Sequence, residues 1–291
     1  MKNNIRRLSY KNSVKIIEDE ESKYVLKKSN RNLEELFMYL RSRNFTSFPD
    51  ILKNDRGSYE FPYIDSVIEP KEQKLVDIIN TMAELHTKTS FYKEVGHDKF
   101  SEIYENLKEN ILYIEGYYND LITLIENEVY MSPSNYLIAR NFSKINSAII
   151  FCKKELESWY KLVKDNTKER VCVVHNNLKD EHLLKNDKNY LISWDKYLID
   201  TPVLDLYRFF QNEKNADNFD ELLALYEKKY KLKEEERKLL FIILSIPPKF
   251  IFEKDEITNT FNVRLFIDYL YKTSNLIAPY YLVDSEDKQK D

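Results

Sequence analysis

The 291-residue chain holds only three glycines, Gly57, Gly96 and Gly116, none near another. A Walker or Rossmann phosphate loop needs several glycines within one turn so that backbone N–H groups can approach the anion, and both are therefore excluded. Cysteine is as scarce. Cys152 and Cys172 each sit among apolar neighbours and suit a reducing compartment, where they act as small hydrophobes and not as a disulfide framework. No stretch approaches the roughly 20 apolar residues that span a bilayer, and the amino terminus is polar, so no membrane span is expected and the default location is cytoplasmic. An excess of positive charge is also missing. With 45 Lys and Arg against 49 Asp and Glu, net −4, the overall field gives no reason to expect nucleic acid as a partner.

What is present is a folded protein's balance: 43% hydrophobic and 32% charged residues, in a chain long enough for one large domain or two lobes. Short strands are predicted at Ile5–Tyr10, Ser13–Glu18 and Lys23–Lys28, separated by turns at Lys11-Asn12 and at Glu20 to Ser22, which suits an antiparallel meander. Leu33, Leu36, Phe37 and Leu40 then fall at i, i+3, i+4 and i+7 and predict a helix capped by Asn30 or Asn32. Pro49–Leu52 and Tyr59–Ile64 read as two further strands flanking the turn-rich Asn54-Asp55-Arg56-Gly57. From Glu69 helical periodicity takes over, with Leu75, Ile78, Ile79, Met82 and His86 on one face and Ile145, Ala148, Ile149, Cys152, Leu156 and Trp159 on another. One strand-rich island, a hairpin of Arg170–Val174 and Tyr190–Trp194, interrupts the helices before they resume near Leu204. The Tyr and Phe excess, 22 and 16 residues, most simply fills the core and its rim; an aromatic surface for a partner is the sharper alternative.

The informative stretch is Val173 to Phe210: V-V-H-N-N-L-K-D-E-H-L-L, then N-Y-L-I-S-W-D, then D-T-P-V-L-D-L-Y-R-F-F. It resembles the aminoglycoside phosphotransferase and choline kinase superfamily, nearest to its bacterial spore-coat kinase-like branch, whose members carry H-G-D-x-x-x-x-N, an I-D-W/F strand and a downstream D-L. Tyr24-Val25-Leu26-Lys27 is similar to the strand bearing the phosphate-contacting lysine, and Ala83-Glu84-Leu85-His86 to the family's A-x-L-H segment. The resemblance implies an α+β, protein-kinase-like bilobal fold: a small β-rich N-lobe over residues 1–67, and a large mainly helical C-lobe over 68–291 with the catalytic-loop-like hairpin at 170–195. It further implies that Lys27, with Glu34 or Glu35 as ion-pair partner, would serve a bound nucleotide. A solvated edge lysine is the ordinary alternative for Lys27.

Phosphoryl transfer needs charge in defined places: a loop aspartate for the acceptor hydroxyl, then an asparagine and a strand aspartate to hold magnesium against the phosphates. Those family positions here read Asn177, His182 and Ser193. An amide cannot act as a base, a serine hydroxyl is a weak ligand for a hard cation, and imidazole suits softer metals. If the strand continues past Ser193, Asp195 reaches the same face and could rebuild a metal site, with Asp180 and Glu181 adding carboxylates within the loop. Zinc is not expected, since the cysteines lack ligand spacing. His175 reads as a structural loop residue, and Asp205 as a cap or as an acceptor for the backbone of the 175–177 loop. The expectation is a pseudokinase that binds a protein partner or a small ligand in the interlobe cleft without a cofactor, with a spore-coat role implied by the resemblance alone. The alternatives are an active phosphotransferase using ATP and Mg2+ at an atypical site, and a nucleotide sensor without transfer.

Overall fold

The computed structural model describes residues 7–11, 14–19, 22–214, 216 and 218–287. It has a small β-sheet region at the amino-terminal end and a mainly helical remainder, the α+β order expected. The chain divides into two compact units. One runs through Phe91 and takes in Val171–Asn212 and Leu225–Tyr230; the other holds Tyr92–Arg170, Glu213–Ala224 and the chain from Lys231 on.

The first unit opens with the strands β1 (Arg7–Lys11), β2 (Val14–Glu18) and β3 (Lys23–Lys28), joined to β4 (Lys53–Asp55) and β5 (Ser58–Pro62) in one antiparallel sheet of order β1-β2-β3-β5-β4. Ile5, Asn12, Glu20 and Glu21, which belong to the predicted strand and turns, lie outside the described residues. The register pairs Lys27 with Tyr59 and Val25 with Phe61. Between β3 and β4 runs α1 (Leu33–Ser42), capped by Asn32, whose side chain accepts the N–H of Glu35 at 3.2 Å. Its buried residues Leu33, Leu36, Phe37 and Leu40 are those of the predicted stripe.

The predicted strand Pro49–Leu52 is instead a loop. Pro49 has no N–H to donate, and pairing starts only at Leu52, whose N–H reaches the Glu60 carbonyl at 2.8 Å. The turn between β4 and β5 puts Arg56 at φ 49° and Gly57 at φ 85°. A β-carbon at Gly57 would lie 2.9 Å from the Ser29 carbonyl oxygen, so this glycine answers both to a left-handed turn and to a close backbone approach.

Next comes α2 (Lys71–Thr89), with Leu75, Ile78, Ile79, Met82 and His86 all buried. Strand β6 (Phe91–Glu94) was not predicted, and its exposed Phe-Tyr-Lys-Glu carries no period-2 pattern. The island around residue 180 is also built differently from the predicted hairpin. The apolar β7 (Lys168–Val174) pairs with β10 (Leu198–Asp200), matching Val174 to Leu198 and Cys172 to Asp200. Strands β8 (Leu183–Lys185) and β9 (Asn189–Leu191) form a separate two-stranded ladder. Helix α5 (Val203–Asn212) follows.

The second unit is helical. Its core lies along α3 (Lys99–Glu126), α4 (Pro133–Val163), α7 (Glu234–Ser245) and α8 (Glu256–Asp287), where Tyr118, Ile145, Ile149, Cys152, Trp159, Ile242, Val263 and Phe266 pack together. α4 starts on Ser132, whose hydroxyl accepts the Asn135 N–H, with Pro133 in the first turn where its missing donor costs nothing. Buried charges are paired: Glu155 accepts from Lys238 at 2.8 Å and from the Tyr281 hydroxyl at 2.7 Å, and Arg170 grips Glu236 through two nitrogens. One further helix, α6 (Phe219–Lys229), runs from the second unit into the first. Burial pushes the Cys152 thiol up to about 12, as an inert core cysteine requires.

Candidate functional site

The site is a cavity of about 490 Å³ within the first unit. Val14, Ile16 and Val25 from the sheet, with Phe61, Pro62 and Ile64 at the end of β5, make an apolar wall. Lys27, Asn177, His182, Ser193 and Asp195 line the same cavity, so five residues picked out by motif spacing come together. Glu34 and Glu35 do not join them. Both are exposed on α1, because the face that buries Leu33, Leu36, Phe37 and Leu40 turns these carboxylates to water. The ion-pair partner of Lys27 is Asp195.

Asp195 reaches the cavity by a route other than a continuing strand. β9 stops at Leu191, and Ser193 adopts the left-handed region at φ 67°, ψ 47°, from which Trp194–Lys196 makes a single 3-10 turn. Trp194 explains the break. Its indole is buried edge-on to Phe37 and Phe45, with centroids 6.1 and 6.3 Å apart, and its N–H donates to the Leu191 carbonyl at 2.8 Å. Seating that ring under α1 forces the chain to turn at 193, and the turn delivers the next side chain to Lys27. A left-handed non-glycine residue is uncommon, and Asn and Asp are the types enriched there.

The loop after β7 is held from beneath. Asp205, fully buried on α5, accepts the backbone N–H of His175 at 2.7 Å with one oxygen and that of Asn176 at 2.6 Å with the other. The His86 imidazole meets the first oxygen at 3.1 Å and the Tyr226 hydroxyl at 2.8 Å with its other nitrogen. Asn176 sits at φ 56°, where the resembling motif has glycine, and ties its amide to the Lys196 carbonyl at 3.2 Å. Tyr226 and Asn176 escaped the sequence reading. Asn176 had a signal, since asparagine tolerates the left-handed region better than most residues; Tyr226, far along the chain, had none.

His175 donates from Nε2 to the Ile192 carbonyl at 2.8 Å, leaving Nδ1 buried without a partner among the described residues. Complete burial holds its pKa down, from the ordinary 6.5 to about 4, against the pull of the Asp205 charge. Burial likewise lowers the pKa of His182, whose Nδ1 faces the Asn177 carbonyl. That contact requires a proton on Nδ1, and Nε2 faces the Glu181 carboxylate at 3.7 Å.

The motif positions are poorly matched to a magnesium ion held against phosphates, while Asp65 and Glu181, outside them, bring two further carboxylates to the cavity lining. Such an ion takes hard oxygen ligands, chiefly carboxylates. Asn177, Ser193 and neutral His182 bring no charge, and the one carboxylate among the motif positions, Asp195, has Oδ2 engaged by Lys27. Among the described residues no group of three or more His, Cys, Asp and Glu side chains is placed to hold a metal.

No protein-family model matches the chain, and no curated protein matches it. Solved structures do. An aminoglycoside phosphotransferase from Alicyclobacillus acidocaldarius subsp. acidocaldarius DSM 446 matches with a TM-score of 0.72 at 10% identity, over 97% of this chain and 93% of that one. The AMP-bound spectinomycin phosphotransferase matches at 0.51 and 11% identity, over 97% and 90%. A choline kinase from Streptococcus pneumoniae gives 0.48 at 15% identity, over 95% of each chain. The chain has the fold of the aminoglycoside phosphotransferase structures it matches.

Proposed function

We propose that this protein is a pseudokinase: it uses the phosphotransferase fold to bind, holding a small ligand in the cavity or presenting the fold to a partner, and does not transfer phosphate. The observation that carries the reading is the state of the polar end. Lys27, the one lysine or arginine lining the cavity among the described residues, is neutralised by Asp195, and the positions that resemble a base and two metal ligands are an amide, an imidazole and a hydroxyl. A bound nucleotide would have to break the Lys27–Asp195 pair to reach the ammonium, and its phosphates would keep their mutual repulsion. The cavity is nonetheless of ordinary ligand size and largely apolar on one side, which supports small-molecule binding.

A second reading, an active phosphotransferase, is favoured by one feature. Oδ1 of Asp195 is buried with no hydrogen-bond partner among the described residues, an acceptor that a ligand's donor or a cation would complete. Melting curves with ATP, with and without Mg2+, together with an assay for ADP release, separate the two. The pseudokinase reading expects no ADP above the buffer rate and no extra stabilisation from Mg2+. Turnover, or a melting shift that needs the metal, would establish the enzyme instead.

A further inference from the structure

The α8 helix carries apolar residues on two sides. Val263, Phe266, Ile267 and Leu270 enter the core of the second unit, yet Ile257 is 81% exposed, Phe261 60% and Tyr271 48%, the last with the Lys144 ammonium over its ring at 4.7 Å from the centre. An isolated exposed leucine or tyrosine needs no explanation, but these three belong to a series. Ile257, Phe261, Arg264, Asp268, Tyr271 and Asn275 are spaced four, three, four, three and four residues apart, and every one is exposed. Alternating steps of three and four keep these residues in one line along the helix, as in a coiled-coil seam, here with Ile257, Phe261 and Tyr271 apolar or aromatic and Arg264, Asp268 and Asn275 polar.

The seam is also its own complement. Placed antiparallel to a second copy about a two-fold axis near residue 266, it sets Phe261 against the partner's Tyr271, Arg264 against the partner's Asp268 and Ile257 against the partner's Asn275, each contact occurring twice. An isologous interface requires this: the residues on one side of the axis must match those on the other. The sequence satisfies it with an aromatic pair and an ion pair that flank the centre. Within one chain Arg264 precedes Asp268 by four residues, the less favourable order for a helical pair, and neither has an ion-pair partner among the described residues.

We propose that α8 is a homodimerisation surface, pairing antiparallel with α8 of a second copy through Phe261, Arg264, Asp268 and Tyr271. The full chain run by sedimentation equilibrium across micromolar concentrations should show twice the monomer mass. Arg264→Asp and Asp268→Arg each place like charges across both symmetric contacts and should weaken the dimer about ten-fold or more, with more loss in low salt than in high. The double swap Arg264→Asp with Asp268→Arg restores opposite charges and should recover the wild-type constant to within about three-fold. Phe261→Glu should give monomer with an unchanged circular dichroism spectrum. A wild-type monomer throughout, which would leave the face to some other partner, overturns the proposal. So does a dimer indifferent to the single reversals, or a double swap no better than either single.

Discussion

Burial of the His175 imidazole links folding to pH. The unfolded chain takes up a proton near 6.5 and the folded one near 4, so between those values the unfolded state binds more protons. Stability from this group is complete above 6.5 and is lost as pH falls toward 4, with a slope of at most about 1.4 kcal/mol per pH unit. His182, also lowered by burial, acts in the same direction. Urea midpoints measured from pH 4.5 to 7.5 should fall with acidification, and His175→Gln, which keeps a donor for the Ile192 carbonyl, should flatten the slope. Ser193 offers a second single-residue test. At its positive φ an aspartate fits as well as serine, so Ser193→Asp should cost less than about 0.5 kcal/mol. The β-branched Ser193→Val should lose about 1–2 kcal/mol by urea titration. Lys27, Asn177, His182, Ser193 and Asp195 were legible as one site because short motifs fix side chains locally. Glu34 and Glu35 as partners of Lys27 were not, although the periodicity that predicted α1 already turned them outward.

At the scale of elements, Trp194 is the hinge between sequence and site. The turn Trp194–Lys196 exists because a buried indole packs beneath α1, and that packing positions Asp195 on Lys27. Trp194→Ala should cost about 3–5 kcal/mol, while Trp194→Phe, which fills most of the volume but lacks the N–H to Leu191, should cost less. Chemical denaturation of the two variants checks the order; equal losses would mean that the ring does not seat the turn. The stripes of α2 and α4 were readable from period, which repeats over several turns, and the β1 to β3 meander from the turn-prone segments that separate its strands. β8, β9 and β10 were not. Each has three residues, too few to display a period, and their pairing is decided by partners distant in the chain.

For the whole molecule, the phosphotransferase fold is matched at 10% identity, while the positions that resemble a base and two metal ligands hold Asn177, His182 and Ser193. Fold and chemistry separate readily in this way, because the sheet, α1 and the Asp205 network depend on burial and backbone hydrogen bonds, whereas phosphate transfer depends on a few charges. Neither the seam of α8 nor the Lys27–Asp195 pair was visible from motifs, the first because exposure is a property of the packed helix and the second because it needs the turn at Ser193. The most direct test of the central claim is the melting temperature of the wild type and of the triple variant Asn177→Asp, His182→Asn, Ser193→Asp with ATP, each with Mg2+ and with EDTA. A ligand present at about one hundred times its dissociation constant stabilises the folded state by about 2.7 kcal/mol, a readily measured shift. The account predicts no Mg2+-dependent shift for the wild type and a clear one for the triple variant. A wild-type protein stabilised by ATP only when Mg2+ is present would contradict it.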